Sequence, residues 1–366
     1  MQFPSHKSLK LLSCLLLAPG NGYCSLDSAR TELKLELLNL SRAEFNDLHA
    51  LADSNHVIVR GLEAFLDLIR KEDDPIRKQW AESALKAEQE RIETAVLFLR
   101  RICDAFEQHS YKVAVIKSLD HWPDLGSDLD LFTSANDYDV DQLMREIFDA
   151  RVAPRSWGDR LARKWNFMVP GLREAVEIHV GRLGQTGEQV AIATSLLERA
   201  RWTPVAGHSF RTASASDRLM ISTLQRMYRH FYFRLCDIVD TAALADAGGI
   251  DYDNLRASAL VAGIWEGVAT YLTIISDYAR CYRGSGLDLP KFVLDAARFG
   301  GEQVFYAKSF LRVPIMPQSA RLYGSQLAGV LGRGELHNGA RLSLLPWLAT
   351  AAVVGQKLTG SDKGIW

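Results

Sequence analysis

The spacing of the apolar residues changes twice along this chain of 366 residues. Leucines recur at helical spacing between residues 26 and 100, and a charged amphipathic run continues to about residue 109. Short β-rich runs begin at Tyr111, and helical spacing returns from about residue 216. We therefore predict an α+β protein with a helical region over 1–100, a small mixed-sheet core over 101–215 and a helical domain over 216–366.

Composition places the chain among ordinary globular proteins. Hydrophobic residues make up 48% and charged residues 24%, and the net charge is −1, so we expect no bulk binding of nucleic acid. The five cysteines are odd in number, scattered, and never spaced as Cys-x-x-Cys. We therefore expect neither a disulfide framework nor a structural zinc site, and we predict a reducing, cytoplasmic location.

Two apolar stretches resemble membrane elements but are too short. Leu11–Ala18 follows two lysines as the core of a signal peptide does, yet we expect it to form a helix packed on the protein core. Leu342–Gly355 contains a proline and falls short of the roughly 20 residues that a membrane span needs. We predict a docking helix there and no transmembrane segment.

Within the predicted core, four runs have the character of strands. Tyr111–Ile116 is β-rich, and Asp128–Phe132 alternates acidic and apolar residues. Trp165–Val169 and Ala175–Val180 flank a Pro-Gly pair, which predicts a hairpin or a nearly adjacent antiparallel pair. Between the second and third runs, residues 137–150 show helical spacing.

The alternating run carries the main chemical signal. Successive side chains of a strand point to opposite faces, so Asp128 and Asp130 share one face while Leu129 and Leu131 lie on the other. Two carboxylates about 7 Å apart can bind Mg²⁺ or Mn²⁺ beside phosphate oxygens. Two such metals can stabilise the attacking and leaving oxygens of a phosphoryl transfer.

An Asp-x-Asp pair alone is not specific, because the pattern recurs at 137–141 and 251–253. The first of these fails as a calcium loop, since Gln142 stands where the turn glycine belongs and Phe148 where the bidentate glutamate belongs. We predict that it forms the acidic first turn of a helix.

A third carboxylate, Glu177, lies in an alternating run with Val176 and Ile178 on one face and Glu177 and His179 on the other. Facing the aspartate pair from a neighbouring strand, Glu177 could bind a metal or accept the proton of a nucleophile. The alternative is a polar strand face turned to solvent.

Local charge fits a metal–triphosphate site. Residues 118–141 contain seven aspartates and no lysine or arginine, whereas residues 151–173 contain six basic residues and one acid. An anionic substrate needs cations at its tail as well as at its reacting end. The alternative for the second segment is a solvated basic loop.

Ser127-Asp128-Leu129-Asp130-Leu131 resembles the signature of the DNA polymerase β-like nucleotidyltransferase superfamily. The chain is most similar to a family of uncharacterised bacterial nucleotidyltransferases, which carry a Lys-Gly pair after the first strand and a later acid-x-His strand. Lys117-Ser118 and Glu177-Ile178-His179 correspond to these features, and the likeness spans residues 26–240.

The resemblance implies a polymerase β-like core that binds an NTP, with ATP favoured. Lys117, Ser118 and Ser127 would contact the nucleotide. The metal-binding and catalytic carboxylates would be Asp128, Asp130 and Glu177. Ser118 replaces the family's glycine and Asp124 stands where an arginine often precedes the pair, which leaves open a member that has lost catalysis.

A long amphipathic helix is predicted over 217–247. Arg226, His230 and Arg234 lie four residues apart, so they would share one face of that helix. In polymerase β-like enzymes a helical segment after the core often completes the nucleotide pocket, and we expect Arg226 and His230 to do so here. The alternative is a solvated surface with an Arg234–Asp237 ion pair.

These features predict transfer of an NMP from an NTP to a hydroxyl of an unidentified acceptor, with release of pyrophosphate. A small-molecule acceptor is favoured, and a protein acceptor uses the same chemistry. Two alternatives remain: a catalytically inactive member of the fold that serves as a binding or scaffold protein, and an Mn²⁺-dependent glycosyltransferase that uses the Asp-x-Asp pair.

Overall fold

A computed structural model of the chain describes residues 6–17 and 26–347. Five helices precede the first strand: α1 (Lys7–Leu17), α2 (Leu26–Leu38), α3 (Arg42–Ser54), α4 (Ile58–Ile69) and α5 (Pro75–Gln108). Ser41 and Glu44 form a capping box at the start of α3, and Asp74 caps α5 with a proline in its first turn. The helical region predicted before residue 101 is confirmed, and its long charged helix ends at Gln108.

The following segment contains seven strands and three short or medium helices, apart from single turns. In chain order they are β1 (Val113–Val115), β2 (Asp128–Thr133), α6 (Asp137–Phe148), β3 (Arg151–Val152), α7 (Trp157–Leu161), β4 (Lys164–Met168), β5 (Ala175–Val180), α8 (Val190–Arg199), β6 (Arg201–Val205) and β7 (His208–Thr212). The acidic run at 137–141 begins α6, as predicted, and is capped by Asn136.

The seven strands form one mixed sheet in the order β3-β4-β5-β2-β1-β7-β6, so β2 lies in the middle. β2 runs parallel to β5 and antiparallel to β1, and β4 pairs antiparallel with β5, which confirms the predicted hairpin-like pair. The observed architecture is therefore a mixed α/β protein.

The two faces of the central strands differ as their alternation predicted. Leu129 and Leu131 on β2, with Val176 and Ile178 on β5, are fully buried in one apolar core that also contains residues of α5 and α6. The opposite face carries the acidic side chains of both strands. Burial of the leucine face fixes the register, since a shift by one residue would turn the aspartates into the core.

The chain after β7 is mostly helical, but it is less regular than predicted. Its helices are α9 (Ala215–Thr223), α10 (Leu235–Asp246), α11 (Tyr252–Ala262), α12 (Trp265–Arg283), α13 (Lys291–Ala296), α14 (Ala320–Gly332) and α15 (Leu336–Ser343). Three short strands, β8 (Tyr232–Phe233), β9 (Phe305–Ala307) and β10 (Phe310–Arg312), form a second sheet in the order β8-β10-β9. The region predicted as helical over 216–366 therefore also contains a small sheet, which the sequence pattern did not indicate.

The predicted helix over 217–247 is not continuous. A π-helical turn over Leu224–Arg229 follows α9, and the chain then reverses at Phe231, whose φ is +54°, before entering β8. Pairing of β8 with β10, more than seventy residues later, holds the chain away from the helical path. The helix resumes only at Leu235.

The first helix packs into the protein, as predicted for the apolar run after Lys10. Leu9, Leu11 and Leu12 are buried, and Ser13 Oγ lies 2.6 Å from the hydroxyl of Tyr278 on α12. The predicted docking helix at Leu342–Gly355 lies largely outside the described residues. None of the helices described is both long and apolar enough to cross a bilayer.

Candidate active site

Three acidic residues meet at the centre of the large sheet. The parallel register of β2 and β5 sets Asp130 directly beside Glu177, and Asp128 lies two residues earlier on the same face of β2. All three side chains line one cleft of about 190 Å³. The predicted convergence of Glu177 with the aspartate pair on adjacent strands is thus present.

Lys117 enters this acidic group from a strained turn at the end of β1. Its backbone angles, φ +61° and ψ −61°, belong to a γ-turn, and the N–H of Ser118 donates to the carbonyl of Ile116 at 2.6 Å. The Lys117 ammonium pairs with Asp130 and lies 3.0 Å from Glu177 Oε1. Burial opposes its charge, but the two carboxylates outweigh burial and raise the pKa of Lys117.

Glu177 is already fully engaged. Its Oε2 lies 2.9 Å from Lys164 Nζ, and its Oε1 lies 2.9 Å from His179 Nε2 in addition to the contact with Lys117. Burial works against its charge, yet the two lysines outweigh burial and hold the pKa of Glu177 well below its usual range. In this arrangement the carboxylate is a weak proton acceptor. Its donor atom lies within 4.8 Å of those of Asp130 and His179, and these three residues could together hold a metal ion.

Asp128 is the acid left without a cation. It forms no ion pair with any residue that the structure describes, and its nearest polar contact is Ser127 Oγ at 3.4 Å. Asp128 is exposed at the start of β2. Desolvation by the surrounding cleft, followed by repulsion from Asp130 and Glu177, nevertheless raises the pKa of Asp128 from 3.8 to about 6. A divalent cation would relieve this repulsion, so the donor set of Asp128 and Asp130 fits Mg²⁺ or Mn²⁺.

Ser118 has a structural role that the sequence did not predict. Its hydroxyl donates to the carbonyl of Asp128 at 3.1 Å and accepts from the N–H of Asp130 at 2.7 Å. The hydroxyl hydrogen of Ser118 therefore links the γ-turn to β2, and the backbone N–H of Ser118 forms the hydrogen bond of the turn itself. A hydrogen bond from Ser118 to phosphate is not available here. Ser127, by contrast, is exposed and lines the cleft.

A cationic wall of the same cleft comes from the irregular segment between α9 and α10. Arg226 is buried and its Nε lies 2.7 Å from Asp237 Oδ2, so its charge is balanced within the fold. The same Oδ2 accepts from the backbone N–H of Arg234 at 2.7 Å. The Arg234–Asp237 side-chain pair considered from the sequence is therefore replaced by an Arg226–Asp237 pair.

Two other arginines of this wall lack such a balance. Across the described parts of the chain, no carboxylate lies within 4.0 Å of the side-chain nitrogens of Arg229 or Arg234. Each has a buried Nε without a hydrogen-bond partner among the same residues. Unpaired guanidinium groups that face a cleft are suited to phosphate or carboxylate groups of a ligand.

Two histidines that lie beside the arginines of this wall are neutral at physiological pH. Burial and the neighbouring Arg229 hold the pKa of His230 well below its usual range, and burial with Arg234 lowers the pKa of His56 to about 2. His230 lines the cleft as predicted, but it can offer only a neutral hydrogen bond there. Positive charge on this wall comes from the arginines.

The basic segment at 151–173 does not contribute to the cleft, contrary to the charge pattern in the sequence. Arg155 stacks on Trp165 at 4.0 Å, Arg163 pairs with Asp137, and Lys164 pairs with Asp159 and Glu177. None of the six basic residues is among the described residues that line the cleft. Of the six, Arg163 is the one that forms an ion pair with the acidic segment before them, among the residues that the structure describes.

Several lining residues were not predicted as part of the site. The described residues that line the cleft are His56, Lys117, Ser118, His121, Gly126, Ser127, Asp128, Asp130, Glu177, Gln225, Arg226, Arg229, His230, Tyr232 and Arg234. Arg229 could have been considered from the sequence, because it lies three residues after Arg226. On a regular helix, however, it would lie to one side of the face that Arg226, His230 and Arg234 share. His56 and His121 gave none, since only tertiary packing brings them to the cleft.

Acids and unpaired arginines that line one cleft can hold a cation and an anion side by side. This is the charge arrangement that a metal–nucleotide complex requires. A search of protein-family models and of curated proteins finds no match to this chain.

Proposed function

We propose that this protein is a Mg²⁺-dependent nucleotidyltransferase with a polymerase β-like core. It transfers an NMP from an NTP, with ATP favoured, to a hydroxyl of an acceptor and releases pyrophosphate. The observation that carries the proposal is the cleft itself. Carboxylates on adjacent strands of the central sheet face two arginines that have no carboxylate partner among the described residues.

In the proposed reaction, Asp128 and Asp130 hold Mg²⁺, which supplies charge stabilisation at the reacting phosphate. Arg229 and Arg234 bind the tail of the triphosphate and orient it across the cleft. Lys117 leaves Asp130 and Glu177 and binds a phosphate oxygen when the nucleotide enters. Its departure frees Asp130 and removes one of the three partners of Glu177, so Lys117 couples nucleotide binding to assembly of the acidic group.

A second, small cavity offers polar groups beside the cleft. It has a volume of about 40 Å³ and adjoins the cleft through Lys117 and Arg229. Gln326 is 1% exposed, and within the described residues neither its Oε1 nor its Nε2 has a hydrogen-bond partner. Gln185 Oε1 is unpaired under the same condition, and the buried Glu188 completes the polar lining. A cavity of this volume has room for a few water molecules or one polar group of an acceptor, so it does not distinguish a small molecule from a protein.

The activity is tested by incubating the protein with each α-labelled NTP, Mg²⁺ or Mn²⁺, and a fractionated metabolite extract. We expect pyrophosphate release together with label in a small-molecule fraction. Asp128→Asn should abolish both, because it removes a metal-binding charge from the cleft. Label in protein fractions would instead identify a protein acceptor.

The same variant carries its own folding control. Since the pKa of Asp128 is raised in the folded protein, its ionisation destabilises the fold increasingly as pH rises from about 4 to about 6. Without metal, Asp128→Asn should therefore be more stable than the wild type at pH 7, by on the order of 1 kcal/mol after solvent screening, and equally stable near pH 3. Urea unfolding measures both values.

Three outcomes separate the alternatives. Thermal stabilisation by Mg²⁺ and NTP without pyrophosphate release would indicate a binding protein that has lost catalysis. Hydrolysis of a nucleotide sugar with Mn²⁺ would indicate a glycosyltransferase. Full transfer activity in Asp128→Asn would contradict the proposed metal site.

A further inference from the structure

One wall of the cleft holds a group of side chains that the proposed reaction does not use. His56, His121 and Cys236 each direct one donor atom into a common space, and these three atoms lie within 4.8 Å of one another. The residues come from distant parts of the chain. His56 lies between α3 and α4, His121 in the 3-10 turn after β1, and Cys236 in the first turn of α10.

The spacing of these atoms matches metal coordination better than a hydrogen bond. Cys236 Sγ lies 3.8 Å from His121 Nε2, which is long for a hydrogen bond. Zinc bonds of about 2.3 Å to sulfur and about 2.0–2.1 Å to nitrogen, at a tetrahedral angle, place such atoms about 3.6 Å apart. A small inward movement of the two side chains would suffice.

His121 is oriented as a metal ligand usually is. Its Nδ1 lies 2.5 Å from Asp240 Oδ2, which leaves Nε2 facing Cys236. The other oxygen of Asp240 lies 2.5 Å from Arg60 Nη1, so the carboxylate is itself held in place. A carboxylate on the outer nitrogen of a metal-binding histidine fixes its tautomer and its direction.

His56 is held against the cleft by backbone geometry. It adopts a φ of +54°, which is uncommon for a residue with a side chain. Its ring packs on Gly126, where an added Cβ would lie 3.0 Å from two ring atoms. Arg234 Nη1 approaches His56 Nδ1 only to 3.5 Å, too far to fix the tautomer, so either ring nitrogen can serve as the donor.

We propose that His56, His121 and Cys236 bind a Zn²⁺ ion that is distinct from the Mg²⁺ of the acidic group. Two imidazoles and a thiolate suit zinc, whereas hard cations such as Mg²⁺ prefer oxygen donors. Both histidines line the cleft, so the fourth position faces it and takes a water or a phosphate oxygen. The ion links the N-terminal helices, the turn after β1 and α10 beside the cationic wall.

The proposal is tested on the full-length protein without substrate. Protein purified without chelator should contain about one equivalent of zinc by elemental analysis, and removal of the metal should lower the melting temperature. After reconstitution with Co²⁺, we expect a thiolate-to-cobalt charge-transfer band and the d–d bands of a tetrahedral site. These readouts do not depend on transferase activity, so failure of one proposal leaves the other standing.

Variants identify the ligands. Cys236→Ser should lose the charge-transfer band and most of the zinc, and His56→Ala should lose the zinc. Asp240→Asn should weaken binding by about 10–100-fold, as expected for a carboxylate behind a ligand. Cys281→Ser is the matched control, because Cys281 is an exposed free cysteine, and it should behave like the wild type.

Wild-type protein that takes up neither Zn²⁺ nor Co²⁺ would overturn the proposal, and this result needs no variant to fold. A cobalt spectrum without the thiolate band, or one unchanged in Cys236→Ser, would likewise exclude this site.

Discussion

At the scale of single residues, Lys117 is the most informative side chain of the cleft. Without ligand it neutralises Asp130 and Glu177, and it does so from a γ-turn that few residues with side chains adopt. Strained backbone of this kind persists where the surrounding structure holds it, often at functional sites. The Lys117 ammonium can pair with the carboxylates or with a phosphate group of a ligand, and these two interactions compete.

This competition predicts opposite effects of one substitution. Lys117→Ala should weaken binding of ATP with Mg²⁺ by about 1–3 kcal/mol, the range for a hydrogen bond to a charged group. It should also strengthen binding of Mn²⁺ alone by on the order of tenfold, because Asp130 and Glu177 lose a bound cation. Calorimetry with ATP and paramagnetic resonance of Mn²⁺ measure the two affinities.

Lys112→Ala is the control for this experiment, because Lys112 is exposed just before β1 and outside the cleft. Both affinities should stay at the wild-type level in that variant. Parallel losses of ATP and Mn²⁺ binding in Lys117→Ala would contradict the exchange and would indicate that the lysine mainly supports the local structure.

The carboxylates could be predicted from the sequence and their partners could not. Asp128 and Asp130 follow from the period of a strand, and Glu177 follows from the same period on a neighbouring one. That Glu177 is engaged by Lys164 depends on the register of β4 against β5, which the local pattern does not specify. The role of Ser118 likewise depends on how the turn packs against β2.

At the scale of elements, the segment between α9 and α10 determines the cationic wall. His230 donates its N–H to the carbonyl of Gln225 at 2.8 Å, five residues back, as a π-helical turn requires. The wider turn and the reversal at Phe231 bring Arg229 and Arg234 to the same cleft. The helix expected from the sequence would not have placed these two arginines on one face.

Periodicity misses this break because its cause is remote. Tyr232 stacks on Phe310 at 4.3 Å, and β8 pairs with β10, so a segment near residue 310 redirects the chain near residue 231. Helical propensity is a weak preference that such tertiary contacts override. The helices α5 and α6, whose amphipathic pattern is continuous, were predicted close to their observed bounds.

The two unpaired arginines give the prediction at this scale. Arg229→Ala and Arg234→Ala should each weaken ATP–Mg²⁺ binding by about 1–3 kcal/mol, because each removes a charge-assisted contact to phosphate. Calorimetry at two salt concentrations should show a smaller salt dependence in both variants. Arg256→Ala, on the exposed side of α11, serves as the control and should bind normally. Unchanged affinity in both cleft variants would argue against a triphosphate on this wall.

At the scale of the whole molecule, the N- and C-terminal helices are not separate from each other. One apolar core contains Leu12 of α1, Phe65 of α4 and Tyr271 of α12, together with Ile116 beside the large sheet. The residues that join these regions are far apart in sequence, so their pairing could not be predicted from local patterns. Cooperative unfolding of the described regions is expected from such a shared core.

A buried ion network crosses the same junction. Arg60 on α4 lies 2.6 Å from Asp124 Oδ2 and 2.5 Å from Asp240 Oδ1, while Asp124 Oδ1 accepts from the N–H of Val59 at 2.6 Å. Asp124 is the residue that departs from the arginine often found before the aspartate pair. In this protein the position holds an acid, and the arginine that pairs with it comes from the N-terminal helices.

We predict from this network that Arg60 contributes strongly to the free energy of unfolding. Arg60→Ala leaves Asp124, which is 1% exposed, and Asp240 without their shared cation. Removing one partner of a buried ion pair costs about 3–5 kcal/mol, because the remaining charge stays desolvated. Urea unfolding should show a loss of this size in the free energy of unfolding, in a single transition.

Arg145→Ala is the control. It breaks the exposed pair with Asp141 and should cost less than about 1 kcal/mol. Equal small losses in both variants would mean that water reaches the network, and two separate transitions in the wild type would mean that the shared core does not couple the regions.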